Sequence, residues 1–114
     1  MNVMKKFIGI CFSLLSAGMA QASAVEPAPE RVRELVRMVR QDCGSCHGMT
    51  LNGGLGPALT VDALKIRDVP KEALVATIVG GRPGTPMPPW HRFLNESEAS
   101  WIVDRLLEGF PVQQ

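Results

Sequence analysis

Two cysteines stand two residues apart with a histidine directly behind the second, in the run Cys43-Gly44-Ser45-Cys46-His47. Two thiols can add to the two vinyl groups of one porphyrin while the adjacent imidazole binds its iron from one face. This C-x-x-C-H spacing therefore reads as covalent attachment of c-type haem, one per chain. All three groups must reach a single macrocycle, so adjacency in sequence is a geometric requirement. A thioredoxin-like dithiol, with His47 tuning thiol acidity, would need a βαβ scaffold, and the chain has almost no strand pattern. A zinc site would need a second pair of ligands, and outside the motif only His91 remains once Cys11 leaves with the N-terminal segment read below as an export signal.

An iron held by one histidine needs a partner on the other face. From Gly80 to Pro89, seven of ten residues are Gly or Pro, and Met87 sits between Pro86 and Pro88. The residue before a proline is pushed to extended conformations, so the Met87 thioether is aimed by backbone constraint rather than by a helix. Met87 is the candidate second axial ligand. His91, Met49 and Met38 compete for the role. Met49 lies too close to the attachment site to cross the ring, and Met38 belongs to the incoming helix. With both axial positions filled the iron is closed to substrates, and methionine ligation raises its reduction potential, which suits electron transfer. No paired acid and base are marked by spacing, so the chain reads as an electron-transfer protein and not an enzyme.

The turn Gly56-Pro57-Ala58-Leu59, about ten residues past His47, can aim a backbone carbonyl at the ring nitrogen that iron does not take. Such a contact fixes the tautomer and makes the imidazole a better donor. In the loop between, Gly48, Gly53, Gly54 and Gly56 leave room for backbone to lie close to a flat macrocycle.

Three helices must position these groups. From Pro29 to Arg40, Val32, Leu35, Val36 and Val39 recur at i, i+3, i+4 and i+7, forming one apolar face that runs straight into the haem motif. Arg31, Arg33, Arg37 and Arg40 line the other side, as a solvated face or a docking patch for an acidic partner. A second helix starts near Asp68 and Pro70, turns Leu74, Val75 and Ile78 inward and stops at Gly80 and Gly81. The third opens on Asn95 and Glu98 as a capping box, faces Trp101, Ile102, Leu106 and Leu107 inward, and ends at Gly109 and Pro111. The fold class is all-α.

Composition bounds the rest. The 114 residues carry 12 Lys and Arg against 11 Asp and Glu, with no charge excess for nucleic acid or an anionic membrane. Aromatics are 5% and Tyr is absent, so a large apolar cofactor completes a core this small chain could hardly build alone. Lys5 and Lys6 precede an uncharged stretch, Phe7 to Ala20, with small residues at Ala22 and Ala24. This reads as a secretory signal over residues 1–24, removed to leave one domain, 25–114. A retained anchor is the rival, but the apolar run is short for a span and loosened by Gly9, Ser13, Ser16 and Gly18. The mature protein is thus expected in the periplasm, without stable membrane insertion.

Together the motifs resemble the class I c-type cytochromes, and the match covers nearly all of the mature chain. The resemblance implies three main helices and loops wrapped around one haem. Cys43 and Cys46 would form the thioethers, His47 would be the proximal ligand with Pro57 supplying its carbonyl, and Met87 the distal ligand. Leu59 and Trp90 would pack on the haem, although Trp90 could instead form an apolar docking patch with Pro88 and Pro89. Leu35 and Val39 stand where the family often has glycine and an aromatic, which implies a looser crossing of the first and last helices.

Three longer runs, Gln41 to Leu51, Gly53 to Leu59 and Gly81 to Trp90, are similar to the small periplasmic NirC cytochromes of denitrification gene clusters. That likeness implies transient electron delivery to the haem c and haem d nitrite reductase. Its alternatives are a part in maturing that enzyme's d-type haem, or delivery to another respiratory acceptor. A haem enzyme or gas sensor would need an open or labile sixth position.

Overall fold

The computed structural model describes residues 25–110. The signal expected over residues 1–24, with its expected cleavage site, and Pro111 lie outside the described residues. The order is α1 (Pro29–Met38), a π-helical turn (Val39–Cys43), α2 (Gly44–His47), α3 (Val61–Arg67), α4 (Lys71–Gly80) and α5 (Glu96–Glu108). The described residues contain no strand.

Pro29 stands at the start of α1, where its missing N–H costs nothing, and Glu30 and Arg37 complement the helix dipole at the two ends. The apolar period holds: Leu35 and Val39 are fully buried, and Val32 and Val36 pack half-buried beside them. The run continues unbroken to His47, but through a wider turn in which the Gly44 N–H reaches the Val39 carbonyl. One residue inserted in this way rotates everything downstream by about 100° relative to an unbroken α-helix. The turn therefore sets the direction in which Cys43, Cys46 and His47 point.

Helix α3 is an addition to the expected three. Thr60 caps it, accepting from the Ala63 N–H at 3.4 Å, and Asp62, Lys65 and Arg67 complement its dipole. With seven residues and only Leu64 buried, it shows no period to read. Asp68, expected to open the second helix, instead closes α3 in the left-handed conformation at φ 47°, and Pro70 caps α4. Within α4, Val75 is buried and Leu74 and Ile78 are half-buried.

The capping box of α5 forms in both directions between Asn95 and Glu98. Its buried stripe is Ala99, Trp101, Ile102, Val103 and Leu106. Leu107, expected inward, is 37% exposed, because it falls about 100° beyond Leu106 and off the stripe. Lys71 pairs with Asp104 at 2.7 Å and ties α4 to α5.

Of the four arginines expected on the outer side, three on α1 and Arg40 in the π-helical turn, two do not line a free face. Arg31 grips Glu98 of α5 through Nε at 2.6 Å and Nη2 at 3.0 Å, and also pairs with Glu34 at 2.7 Å. The Arg40 guanidinium lies 5.7 Å from the centre of the Phe110 ring. Arg33 and Arg37 remain exposed.

The Arg31 fork, aided by the Asn95 N–H, holds the Glu98 carboxyl below the ordinary carboxylate range against the opposing effect of its partial burial. A carboxyl with a lowered folded-state pKa stabilises the fold above its unfolded value, about 4.3, and loses that contribution as pH falls through the lowered value. Glu98→Gln is therefore expected to cost about 2 kcal/mol at pH 7 and progressively less on acidification. Thermal unfolding of both proteins between pH 7 and pH 3 checks this, and parallel curves would refute it.

Candidate haem site

The attachment motif straddles the end of the π-helical turn and all of α2. The Ser45 hydroxyl donates to the Asp42 carbonyl at 2.7 Å and steadies the tight turn between the cysteines. The Gly-rich loop then folds back over the helix end. The Gly56 N–H donates to the Cys46 carbonyl and the Gly53 N–H to the His47 carbonyl, each at 2.8 Å, so carbonyls that the helix leaves unpaired are satisfied.

The same loop delivers the Pro57 carbonyl to His47 Nδ1 at 2.7 Å. A carbonyl only accepts, so Nδ1 carries the proton and Nε2 keeps its lone pair for a metal. Gly56 makes this approach possible: a Cβ there would lie 2.7 Å from both Cε1 and Nδ1 of the His47 ring. Other glycines of the loop also lie close to the protein's own backbone. A Cβ on Gly54 would meet the Cys46 carbonyl at 2.7 Å, and one on Gly48 the Gly53 carbonyl at 2.7 Å. Arg67, at the end of α3, donates to the Ala58 carbonyl and pins the turn from outside. The Leu59 N–H donates to the carbonyl of buried Leu51 at 2.8 Å, and the Leu59 side chain packs against the core.

The second candidate ligand sits on a loop held at several points. The Met87 carbonyl accepts from the Arg82 N–H at 3.1 Å, and its N–H donates to the Thr85 hydroxyl at 3.3 Å. Beyond it, the Trp90 and His91 N–H groups donate to the Ile78 and Val79 carbonyls of α4 at 3.0 and 3.3 Å. Met87 is half-buried while Pro86, Pro88 and Pro89 are exposed. Trp90 packs against the core and lies 5.7 Å from the Phe93 ring in a tilted pair.

The competing ligands are placed differently. Met38 packs on the core, Met49 is 65% exposed beside Gly44, and His91 is exposed. Gly81 was legible only as a helix stop, yet its position at φ 67° lets the chain turn under Met87. Arg67 carried no local signal at all.

The chemistry of these groups fits covalent haem. Burial, reinforced by the Asp42 charge, pushes the Cys43 thiol up to about 11, so it is protonated at neutral pH and is not the reactive thiolate of a dithiol oxidoreductase. No disulfide joins Cys43 and Cys46. Among the described residues no group of three or more His, Cys, Asp or Glu side chains gathers to hold a bare metal ion. Two thiols three residues apart and an imidazole whose Nε2 is free are groups that covalent haem c requires of its protein.

Comparison with known proteins places the chain among the c-type cytochromes. The family model for "Cytochrome C oxidase, cbb3-type, subunit III" matches residues 30–104. The chain is 58% identical over 83 residues to cytochrome c55X of Pseudomonas aeruginosa, covering 73% of this chain and 68% of that protein. This chain belongs to the cytochrome c55X family of c-type cytochromes. A solved structure of the c-type cytochrome NirC superposes with a TM-score of 0.70 at 56% identity, covering 74% of this chain and 96% of that one.

The protein is accordingly a monohaem electron carrier of the class I cytochrome c fold, with covalently bound haem c, and is not an enzyme. A fainter likeness, 33% over 106 residues, is to the dihydro-haem d1 dehydrogenase of Pseudomonas aeruginosa, covering 93% of this chain and 20% of that protein. Among the described residues no helix is long and apolar enough to cross a membrane.

Proposed function

We propose that the protein is a periplasmic carrier, exported by a signal over residues 1–24, that passes single electrons to the haem c and haem d nitrite reductase of denitrification. In this reading Cys43 and Cys46 form the thioethers, His47 and Met87 are the axial ligands, and Leu59 and Trp90 pack on the haem. The haem, when bound, supplies a one-electron iron couple. The protein's own groups keep that couple fast and closed.

The observation that carries the reading is the pairing of His47 Nδ1 with the Pro57 carbonyl at 2.7 Å, which leaves one ring nitrogen for iron in a fixed orientation. His47, held by Pro57, and Met87, on a loop held by Arg82 and Thr85, would bind the iron with little rearrangement between its two oxidation states. Docking is transient and small. Pro88 and Pro89 beside Met87 are exposed, as are Met49 and Leu55 close to the attachment motif, and they give the partner apolar surface to cover.

A second reading has one specific support. Likeness to the cytochrome-sized portion of the dihydro-haem d1 dehydrogenase favours a part in maturing the reductase's d-type haem. Anaerobic rapid mixing of the ferrous haem-loaded protein with oxidised nitrite reductase separates the two. Reoxidation within the turnover time of the reductase, sustaining nitrite reduction, is expected for the donor. Absence of transfer from a protein with a normal six-coordinate spectrum would refute delivery to this reductase and leave maturation or another respiratory acceptor.

A further inference from the structure

We propose that Arg31 is a positioning residue that latches the Met87 loop to the helix leading into the haem motif. The inference rests on Met87 being the distal ligand. Beyond its grip on Glu98, the Arg31 guanidinium donates from Nη2 to the Phe93 carbonyl at 2.6 Å, 62 residues away in sequence. Phe93 and Leu94 in turn donate their N–H groups to the Trp90 carbonyl at 2.9 and 3.1 Å. One side chain of α1 thus holds the far end of the segment that begins at Gly81 and carries Met87.

The composition of that segment makes the anchor matter. Pro83, Pro86, Pro88 and Pro89 have no N–H to donate, so the loop has few hydrogen bonds of its own and depends on its ends. Ile78 and Val79 fix the segment on the α4 side, at Trp90 and His91. Leu94 is buried and seats the chain against the core, but a buried side chain does not fix the direction of a neighbouring carbonyl. Arg31 does, through a planar fork whose remaining donors are held by Glu98 and Glu34. Because Pro88 and Pro89 stiffen the chain between Met87 and Trp90, freedom gained at Phe93 is transmitted to the thioether.

The test uses the full haem-loaded ferric protein and the variants Arg31→Met, Arg31→Lys and Met87→Ala. Two quantities are followed: the temperature at which the methionine–iron absorption disappears relative to the loss of helical circular dichroism, and amide exchange along the chain. In Arg31→Met the absorption is expected to vanish well before the helices melt. The amides of Arg82, Thr85, Met87 and Trp90 should exchange about tenfold faster, the effect of losing one charge-assisted hydrogen bond, while those of Trp101 to Leu106 hardly change. Arg31→Lys keeps the charge but not the fork, and should show the same loop loosening with a smaller fall in overall stability.

Ligation and helix lost together in both Arg31 variants, with loop exchange no faster than that of α5, would overturn the latch while leaving Met87 as ligand. A Met87→Ala spectrum identical to that of the parent would overturn the ligand assignment and the latch with it.

Discussion

Gly56→Ala is expected to prevent normal haem loading, although the substitution adds one methyl group to a loop remote from the helix core. The new Cβ would sit 2.7 Å from two atoms of the His47 ring, well inside contact distance. Neither side has room to yield. The Gly56 N–H is held by the Cys46 carbonyl at 2.8 Å and its carbonyl by the Gly54 N–H at 3.0 Å, while the ring is held by Pro57. Relief comes only by swinging the imidazole off the Pro57 carbonyl, which loses the tautomer control, or by breaking the backbone pairs that cap α2.

Overpacking of this kind costs about 1–3 kcal/mol, and loss of the partner that orients a metal-bound histidine costs 10–100-fold in affinity or activity in comparable sites, at the order-of-magnitude level. The measurement is haem content per chain after export, with the melting temperature of whatever fraction is loaded. The variant should show a loaded fraction well below that of the parent, and a melting temperature lower by several degrees. Full loading with an unchanged melting temperature would show that the loop shifts freely and that Gly56 has no special role.

How much of this site could be read beforehand depends on how far apart in sequence the interacting residues lie. Cys43, Cys46 and His47, proposed to act on one macrocycle, are adjacent, so their spacing carries the reading. The Asn95–Glu98 capping box is equally local, and both of its bonds are present. The turn at Pro57 is ten residues from His47, and it was legible because a Gly-Pro step near a haem motif has few other uses. Periodicity found the faces of α1 and α5 but could not register the π-helical turn, since one extra residue leaves the apolar positions before it untouched. It also passed over α3, which buries a single leucine.

The contacts hidden from a linear reading are those whose partners lie far along the chain. Arg31 looks like any solvated arginine until α5 and Phe93 are brought beside it, 62 to 67 residues later. Gly56 and Gly54 read as room for backbone beside a macrocycle. In the fold they are places where backbone or imidazole already fills the space a side chain would take, so their role is steric rather than conformational. Gly48 and Gly81 combine both demands, a positive φ and a close neighbour.

Gly81→Ala should produce the complementary lesion, loss of the proposed ligand Met87 from a chain that still carries its haem. Gly81 has φ 67° and ψ −171°, a region open essentially to glycine alone, and forcing another residue into it costs about 1–3 kcal/mol. Sterics add to the conformational cost, because a Cβ would lie 2.7 Å from Pro88 C and Pro89 N and 2.8 Å from the Met87 carbonyl oxygen. That oxygen is the acceptor of the Arg82 N–H, so the clash falls on the bond that fixes the Met87 backbone.

The prolines on either side cannot rotate in φ to absorb the displacement, and the whole Met87–Pro89 segment must move. In the proposed site attachment depends on Cys43, Cys46 and His47, which lie outside this loop, so haem content should stay near that of the parent. The ferric spectrum should lose its methionine–iron absorption, and the reduction potential should fall, since methionine ligation is what raises it. A variant that keeps both the absorption and the potential would show that Met87 is held from elsewhere. One that fails to load haem at all would show that the distal loop is needed before attachment, and that the two halves of the site do not form independently.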